Sequence, residues 1–440
     1  AVSSPTTINA ETAEHAEKPF CPADSASSAS IVLFPVGLND GVHIVAIGCK
    51  LSAERRVASS GGGETGTDIM KKIFTAGACG LAICVLAGLS SSTSHAAADS
   101  NPAWNGKAAA AALDQRQDWW MTWPTAARDH GTYCVSCHTA LPYALARPAL
   151  RQALGESGPS ATEIKQADSV IKRVRMWRDV EPFYPDQLRG LPKTSESRGT
   201  EAILNTAVLV SRDAQTHVLS ADARLAFDNL WALQMKSGDL SGAWAWLNFH
   251  NEPWEADGSP AFGASIAAVA IGTAPGGYAA TPEIQDRVKA LRGYLQKANE
   301  TQHLLNRVML LWASGALPDT LTHDQQQSII DALMRLQQAD GGWSVTSLGA
   351  WKRQDGSAAE TESDGYATGL ISYALQVAGV PRTQPQLMRG LAWLATHQNA
   401  TTGAWSASSL NKRRDPASDA GRFMTDAATA YAVLALTKAQ

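Results

Sequence analysis

Beyond residue 84 this 440-residue chain has only two cysteines, Cys134 and Cys137, out of six in all. That scarcity excludes a disulfide framework for most of the chain. It also excludes a cysteine-based zinc site, which would need a second ligand pair. The βαβ pattern that surrounds a thioredoxin-like C-x-x-C is missing too. So is any excess of positive charge: the formal net charge is −4, and nothing points to nucleic acid or an anionic membrane surface. Phenylalanine is sparse, eight residues against fourteen tryptophans. The tryptophans fall at repeating places, which directs attention to internal repeats.

The two late cysteines stand in Cys134-Val135-Ser136-Cys137-His138. C-x-x-C-H is the attachment signature for c-type haem. Two thiols add to the vinyl groups, and the adjacent imidazole becomes the proximal ligand of the iron. One covalent haem c, held by Cys134 and Cys137 with His138 on the metal, is therefore the cofactor expected. For the sixth iron position the chain offers His130, Met176 and His250, with an exchangeable water or substrate as the alternative.

The other cysteines, Cys21, Cys49, Cys79 and Cys84, lie in or before a stretch that reads as a signal peptide. Met70-Lys71-Lys72 supplies the basic start, Ile73 to Leu89 a glycine-broken apolar run, and Ser94-His95-Ala96 a cleavage site. The run is short for a spanning helix, so the mature chain is expected to have no transmembrane helix. Residues 70–96 are thus read as a signal peptide, and 1–69 as a non-native or disordered leader ahead of a start at Met70. Export agrees with haem c, and a bacterial periplasmic location is expected.

The remainder is read as all-α. Residues 104–123 and 160–178 form helices flanking the haem motif, Ala140–Leu154 forms another, and 181–186 is an extended linker. From about 198 onward one kind of helix starts at a hydroxyl N-cap (Ser220, Thr281, Thr322, Thr383) and ends on glutamine. Three are followed by a glycine–tryptophan tail: Gly242-Ala243-Trp244, Gly342-Trp343 and Gly403-Ala404-Trp405. The second copy lacks it. A second kind is small, apolar nearly all round and hence buried. These begin near Arg198, Asp257, Asn306, Asp364 and Asp426, and the segment after His138 makes a sixth.

The Gln…Gly-x-Trp tails, above all Leu336-Gln337-Gln338-Ala339-Asp340-Gly341-Gly342-Trp343, resemble the QW repeats of squalene-hopene cyclases and protein prenyltransferase β-subunits. The resemblance covers roughly 198–440. It implies an α/α toroid of six helical hairpins around an apolar cavity, with 97–197 as its haem-bearing N-terminal part and the haem motif built into the first repeat. The chemistry does not carry over. The Asp-x-Asp-Asp acid of class II cyclases is missing, and the final helix, Thr425 to Tyr431, has alanine where a prenyltransferase would need a zinc-binding histidine. A terpene cyclase of the usual kind is not expected.

Asp257, Asp364 and Asp426 read most simply as N-caps. If the inner helices open on one mouth, these three and Tyr366 would also line it, with Trp246, Phe249 and Trp254 as further wall candidates. Residues 411–415 read as a solvated loop. Three functions remain open. One is redox chemistry on, or electron transfer from, an apolar, terpenoid-like small molecule near the haem. Another is electron transfer to a redox partner protein, with the toroid as scaffold. The third is a non-catalytic terpenoid- or protein-binding module.

Overall fold

Helices alternate along the chain between a half-exposed set and a buried set. The structure, a computed structural model, describes residues 104–438, which lie within one compact unit. The expectations for the leader 1–69 and the signal peptide 70–96 fall outside these residues. The half-exposed helices are α1 (Gly106–Thr122), α3 (Ala161–Arg175), α6 (Ala221–Ala232), α8 (Gln285–Thr301), α10 (His323–Leu336) and α12 (Pro385–Thr396). The buried ones are α2 (Ala140–Ala153), α5 (Lys193–Ala214), α7 (Ser259–Thr273), α9 (Leu304–Ala316), α11 (Gly365–Val377) and α13 (Phe423–Lys438). A single helical turn, α4 (Asp186–Arg189), precedes α5. Among the described residues the all-α reading needs one amendment, a short antiparallel ribbon of β1 (Ala127–Arg128) and β2 (Thr132–Tyr133). No helix among them is long and apolar enough to cross a membrane.

Each buried helix packs on two others of its set. α2 contacts α5, α5 contacts α7, α7 contacts α9, α9 contacts α11, α11 contacts α13, and α13 contacts α2. The half-exposed helices cover this set: α6 lies on α5, α8 on α7, α10 on α9, while α1 and α12 both touch α13. Small residues permit the close approach. α7 is buried from Ala261 to Ile271, and α13 from Asp426 to Leu436.

The repeat signature has a local mechanism. Gln234 Nε2 donates to Gly242 O in its own tail (2.9 Å) and to Arg287 O in the first turn of α8 (2.9 Å). Gln337 Nε2 bonds Gly341 O (2.8 Å) and Gln386 O in α12 (2.6 Å). Gln398 Nε2 bonds Gly403 O (2.8 Å) and Asn105 O at the start of α1 (3.0 Å), and Asn105 N–H returns a bond to Gln398 Oε1 (2.7 Å). Each amide thus ties a helix end to the start of a later or earlier half-exposed helix. The tryptophans turn back instead. Trp244, Trp343 and Trp405 donate Nε1–H to Leu230, Leu333 and Leu394 O, in the last turns of their own helices, at 2.7–2.8 Å. The tail glycines are obligatory for two reasons. Gly242 and Gly403 have φ of +93° and +72°, and a Cβ there would fall 2.2 Å from Ala290 O and 2.3 Å from Ala108 O.

Several boundaries move. Met176 caps the C-terminus of α3, which stops at Arg175, and Ser160 caps its start in a reciprocal box with Glu163. A turn of 3-10 helix, Pro282–Ile284, stands between Thr281 and α8. α12 is capped by Gln384, not Thr383, because Pro385 is preset for the first helical position. α5 starts five residues before Arg198. α13 starts at Phe423, so Asp426 sits in its first turn and is not its N-cap.

Candidate functional site

The C-x-x-C-H segment connects the β-ribbon to α2, and both neighbours fix it. Cys134 N–H donates to Ala126 O (2.8 Å), and Trp120 Nε1–H donates to Cys134 O (2.7 Å). At the other end the Ser136 hydroxyl accepts from Thr139 N–H (3.2 Å) and Ala140 N–H (3.0 Å), which closes the turn and starts α2. Both thiols are buried and free. Burial pushes Cys134 up to about 12 and Cys137 well above its ordinary value, so both are thiols, not thiolates.

Arg173 of α3 braces the ribbon from below. It is fully buried and pairs with Glu201 of α5 while donating to Asp129 Oδ1 (3.0 Å), Thr132 Oγ1 (2.8 Å) and Glu181 O (2.6 Å). Burial alone would raise the Asp129 carboxyl. The Glu181 amide, His130 and Arg173 outweigh it and hold Asp129 below the ordinary range.

The imidazole of His138 sits among rings. Phe423 stacks on it with centroids 3.8 Å apart, Trp120 meets it edge-on at 4.9 Å, and Trp254 lies at 5.8 Å. Burial first, then Arg116 and Arg414, lower its pKa to about 3, so the ring is neutral. Its tautomer follows from the neighbours. Thr139 Oγ1 donates its one proton to Asp426 Oδ2 (2.6 Å) and lies 2.8 Å from His138 Nδ1, which must then carry the proton. Asp426 also accepts from Arg116 Nε (2.7 Å) and Nη2 (3.1 Å), and burial pushes it up against the pull of that guanidinium. Nε2 is left as the lone-pair nitrogen, the form in which imidazole binds a metal.

This donor set fits a c-type haem. Two free thiols stand three residues apart beside a neutral imidazole whose Nδ1–H is anchored. Asp364 is the N-cap of α11, accepting from Ala367 N–H (2.8 Å) and Val345 N–H (2.6 Å). It lines a cavity of about 190 Å³ with Arg353 and Glu360. Asp257 does not cap α7. It is an exposed loop residue that accepts from Asn248 Nδ2 (2.8 Å). Tyr366 lies in the fully buried interior beside Trp254 and Tyr431. Trp246 is buried and bonds Trp254 O, and Phe249 packs edge-on to Tyr184.

Of the three candidates for the sixth position, His130 is tied to Asp129 in the ribbon's turn, and Met176 closes α3. His250 is exposed, 3.7 Å from Asp257. None is among the ring neighbours of His138. The 411–415 loop is more than solvated: Asn411 exchanges bonds of 2.6 and 2.7 Å with the backbone of Glu252, beside Trp254.

Sequence reasoning passed over Thr139, Arg116, Trp120, Phe423 and Glu255. Burial lifts the Glu255 carboxyl to about 7 with Lys193 pulling against it, and its field reaches both thiols. The hydroxyl next to His138 was the available signal, since ligating histidines are oriented through the second nitrogen.

No protein-family model matches the chain, and no curated protein does.

Proposed function

We propose that the protein is an exported c-type haem protein, a six-hairpin α/α toroid of squalene-cyclase-like build whose task is one-electron transfer. The haem would be bound through Cys134 and Cys137 with His138 on the iron, in the first repeat. The observation that carries this is the anchored tautomer: Thr139 and Asp426 keep the proton on Nδ1 and present Nε2, beside two free thiols. The toroid is supported by the cyclic packing of α2, α5, α7, α9, α11 and α13, and by the bond from the end of α12 to the start of α1. A haem position on the side of the buried helices that carries Asp426 is supported by the link from Thr139 to Asp426 in the first turn of α13.

The haem supplies reversible one-electron chemistry when bound. The chain's part is to hold the imidazole neutral and oriented, to keep water from its faces with Trp120 and Phe423, and to set the local field through Arg116 and Glu255. Electron transfer is preferred to oxidation of a terpenoid beside the iron, because Trp254, Tyr366 and Tyr431 fill the space below His138. A second reading, redox chemistry with an apolar small molecule, is favoured by one feature. A cavity of about 120 Å³ is lined by Leu145, Ala207, Ile266, Trp312, Tyr373 and Leu434, one from each buried helix. That volume suits a single ring, whereas drug-sized ligands occupy roughly 300 Å³ or more.

The test is expression in a bacterial host with haem-ligation machinery. One haem per chain should stay bound in denaturant, Cys134→Ala and Cys137→Ala should lower that retention, and His138→Ala should change the spectrum more than the attachment. Haem extracted by acid-acetone would overturn the proposal. A spectrum blind to carbon monoxide favours the carrier, and one that responds favours chemistry at the iron.

A further inference from the structure

One cavity is walled by all six buried helices. Leu145 comes from α2, Ser211 from α5, Thr273 from α7, Trp312 from α9, Tyr373 from α11 and Leu434 from α13. Its volume is about 120 Å³. Thr273 and Gln215 on its wall are exposed, so it opens to solvent where α5 and α7 end. Trp254, Tyr366 and Tyr431 stand between it and His138, packed ring to ring from His138 to Trp312. The cavity is therefore a place apart from the Cys134–His138 segment.

Two polar hydrogens on its wall lack an acceptor. Trp312 is only 3 % exposed, yet its Nε1–H has no partner among the described residues, and neither has the Tyr373 hydroxyl. Tryptophans buried to a similar degree behave otherwise: Trp120, Trp244, Trp246, Trp343 and Trp405 each donate to a backbone carbonyl at 2.7–2.8 Å. A buried donor left unpaired is costly and calls for a reason. Trp312 and Tyr373 meet edge to face, 5.1 Å between centroids, and burial pushes the Tyr373 phenol up to about 12, so it keeps its proton. Two other hydroxyls supply the opposite polarity. Ser211 Oγ–H is donated to Ala144 O (2.7 Å) and Thr273 Oγ1–H to Val269 O (2.8 Å), which leaves both oxygens as acceptors. Among the described residues none that lines the cavity is charged, so an ion would enter without a counter-charge.

We propose that this cavity is a binding site for a neutral, one-ring phenol. The ligand's oxygen accepts from Trp312 Nε1–H or the Tyr373 hydroxyl, and its own O–H is donated to Ser211 or Thr273. A hydroxyl is the smallest group that meets both demands. The ring lies against the Trp312–Tyr373 pair, where an aromatic edge or face is preferred to a saturated ring, which is also thicker. An apolar cavity of about 150 Å³ takes up benzene, and here the open end leaves room for the added oxygen. Because each buried helix gives one wall residue, an occupied cavity ties all six together and stabilises the folded chain by mass action. The site uses no haem and does not rest on the haem reading.

The test is thermal unfolding and titration calorimetry of the full chain with phenol, benzene, cyclohexanol and benzoate, each taken to millimolar concentration. Phenol should raise the Tm as its concentration rises, benzene and cyclohexanol less so, and benzoate not at all. Tyr373→Phe removes one hydroxyl only. It should weaken phenol about two- to tenfold, the loss of one hydrogen bond, and leave benzene unchanged. Ala270→Leu, at a buried wall position, should fill the cavity and abolish phenol binding while the free protein unfolds as one transition. Should that variant fail to fold, the Tyr373→Phe comparison decides alone. Tyr294→Phe, on α8 away from the cavity, should bind phenol as the parent does. No response to millimolar phenol would overturn the proposal. So would benzoate binding as well as phenol, or phenol and benzene binding alike with Tyr373→Phe silent, which would leave the cavity an apolar void.

Discussion

A single hydroxyl decides how His138 can act. Thr139 has one proton to give, Asp426 takes it, and the imidazole must answer with its own Nδ1–H. Thr139→Val keeps the shape and removes both bonds. With the haem we propose bound, the expected outcome is covalent haem retained, a reduction potential shifted upward because the imidazole becomes a weaker donor, and stability lower by about 1–3 kcal/mol. Potentiometry and urea denaturation check the two parts. Asp364 gives the pH counterpart. In the folded protein burial raises its pKa to about 7, whereas an unfolded aspartate releases its proton near about 3.9. Between those values the folded state binds more protons, so this group's contribution to stability falls as pH rises through the window. Asp364→Asn should flatten that part of the stability–pH curve. The slope is the readout, since the amide also loses the bond from Val345 N–H. At this scale C-x-x-C-H was legible as a motif because the haem attachment we propose would force its spacing. Asp426 was legible only as a capping type. Its bonds to Thr139 and Arg116 join residues hundreds of positions apart, and no local pattern encodes them.

Among the elements, the buried helices were the most legible, because a helix apolar on every side can lie only inside. The β-ribbon was not. β1 and β2 are two residues each, too short for any alternation to register. They are held by a tertiary clamp, Arg173, rather than by propensity. That clamp can be tested apart from the haem. Arg173→Leu leaves the buried Glu201 with Arg198, 3.9 Å away, as its remaining cation and frees Asp129 and Thr132. Loss of about 3 kcal/mol is expected, the low end of the cost of breaking a buried pair, because Arg198 remains. Thiol-labelling of the haem-free chain should rise in the same variant, because Cys134 and Cys137 hang from the ribbon that Arg173 braces. Unchanged labelling with the full stability loss would separate the ribbon from the clamp.

For the whole molecule, the repeated glutamines explain why the QW-like tails could be read as structure and not as chemistry. Each side-chain amide nitrogen bonds two backbone carbonyls at once, one in its own tail and one at the start of another helix, a demand of assembly and not of reaction. Whether the helices form a closed ring or an open array makes opposite demands on the last copy. In an open array each repeat leans only on its neighbours, and a bond from the final repeat to the first would carry little. In a ring, Gln398 does for α12 and α1 what Gln337 does for α10 and α12: it bonds Gly403 O and Asn105 O, and Asn105 N–H bonds it in return. α1 and α12 moreover share α13 as their support, so opening that seam exposes a buried helix on both sides. Gln398→Ala and Gln337→Ala should therefore destabilise alike, each by about 0.5–1.5 kcal/mol for the lost, partly exposed hydrogen bonds, within one cooperative transition followed by circular dichroism and tryptophan fluorescence. A Gln398→Ala protein as stable as the parent, beside a weakened Gln337→Ala, would show that the first and last hairpins do not carry load together, and the toroid would give way to an open array.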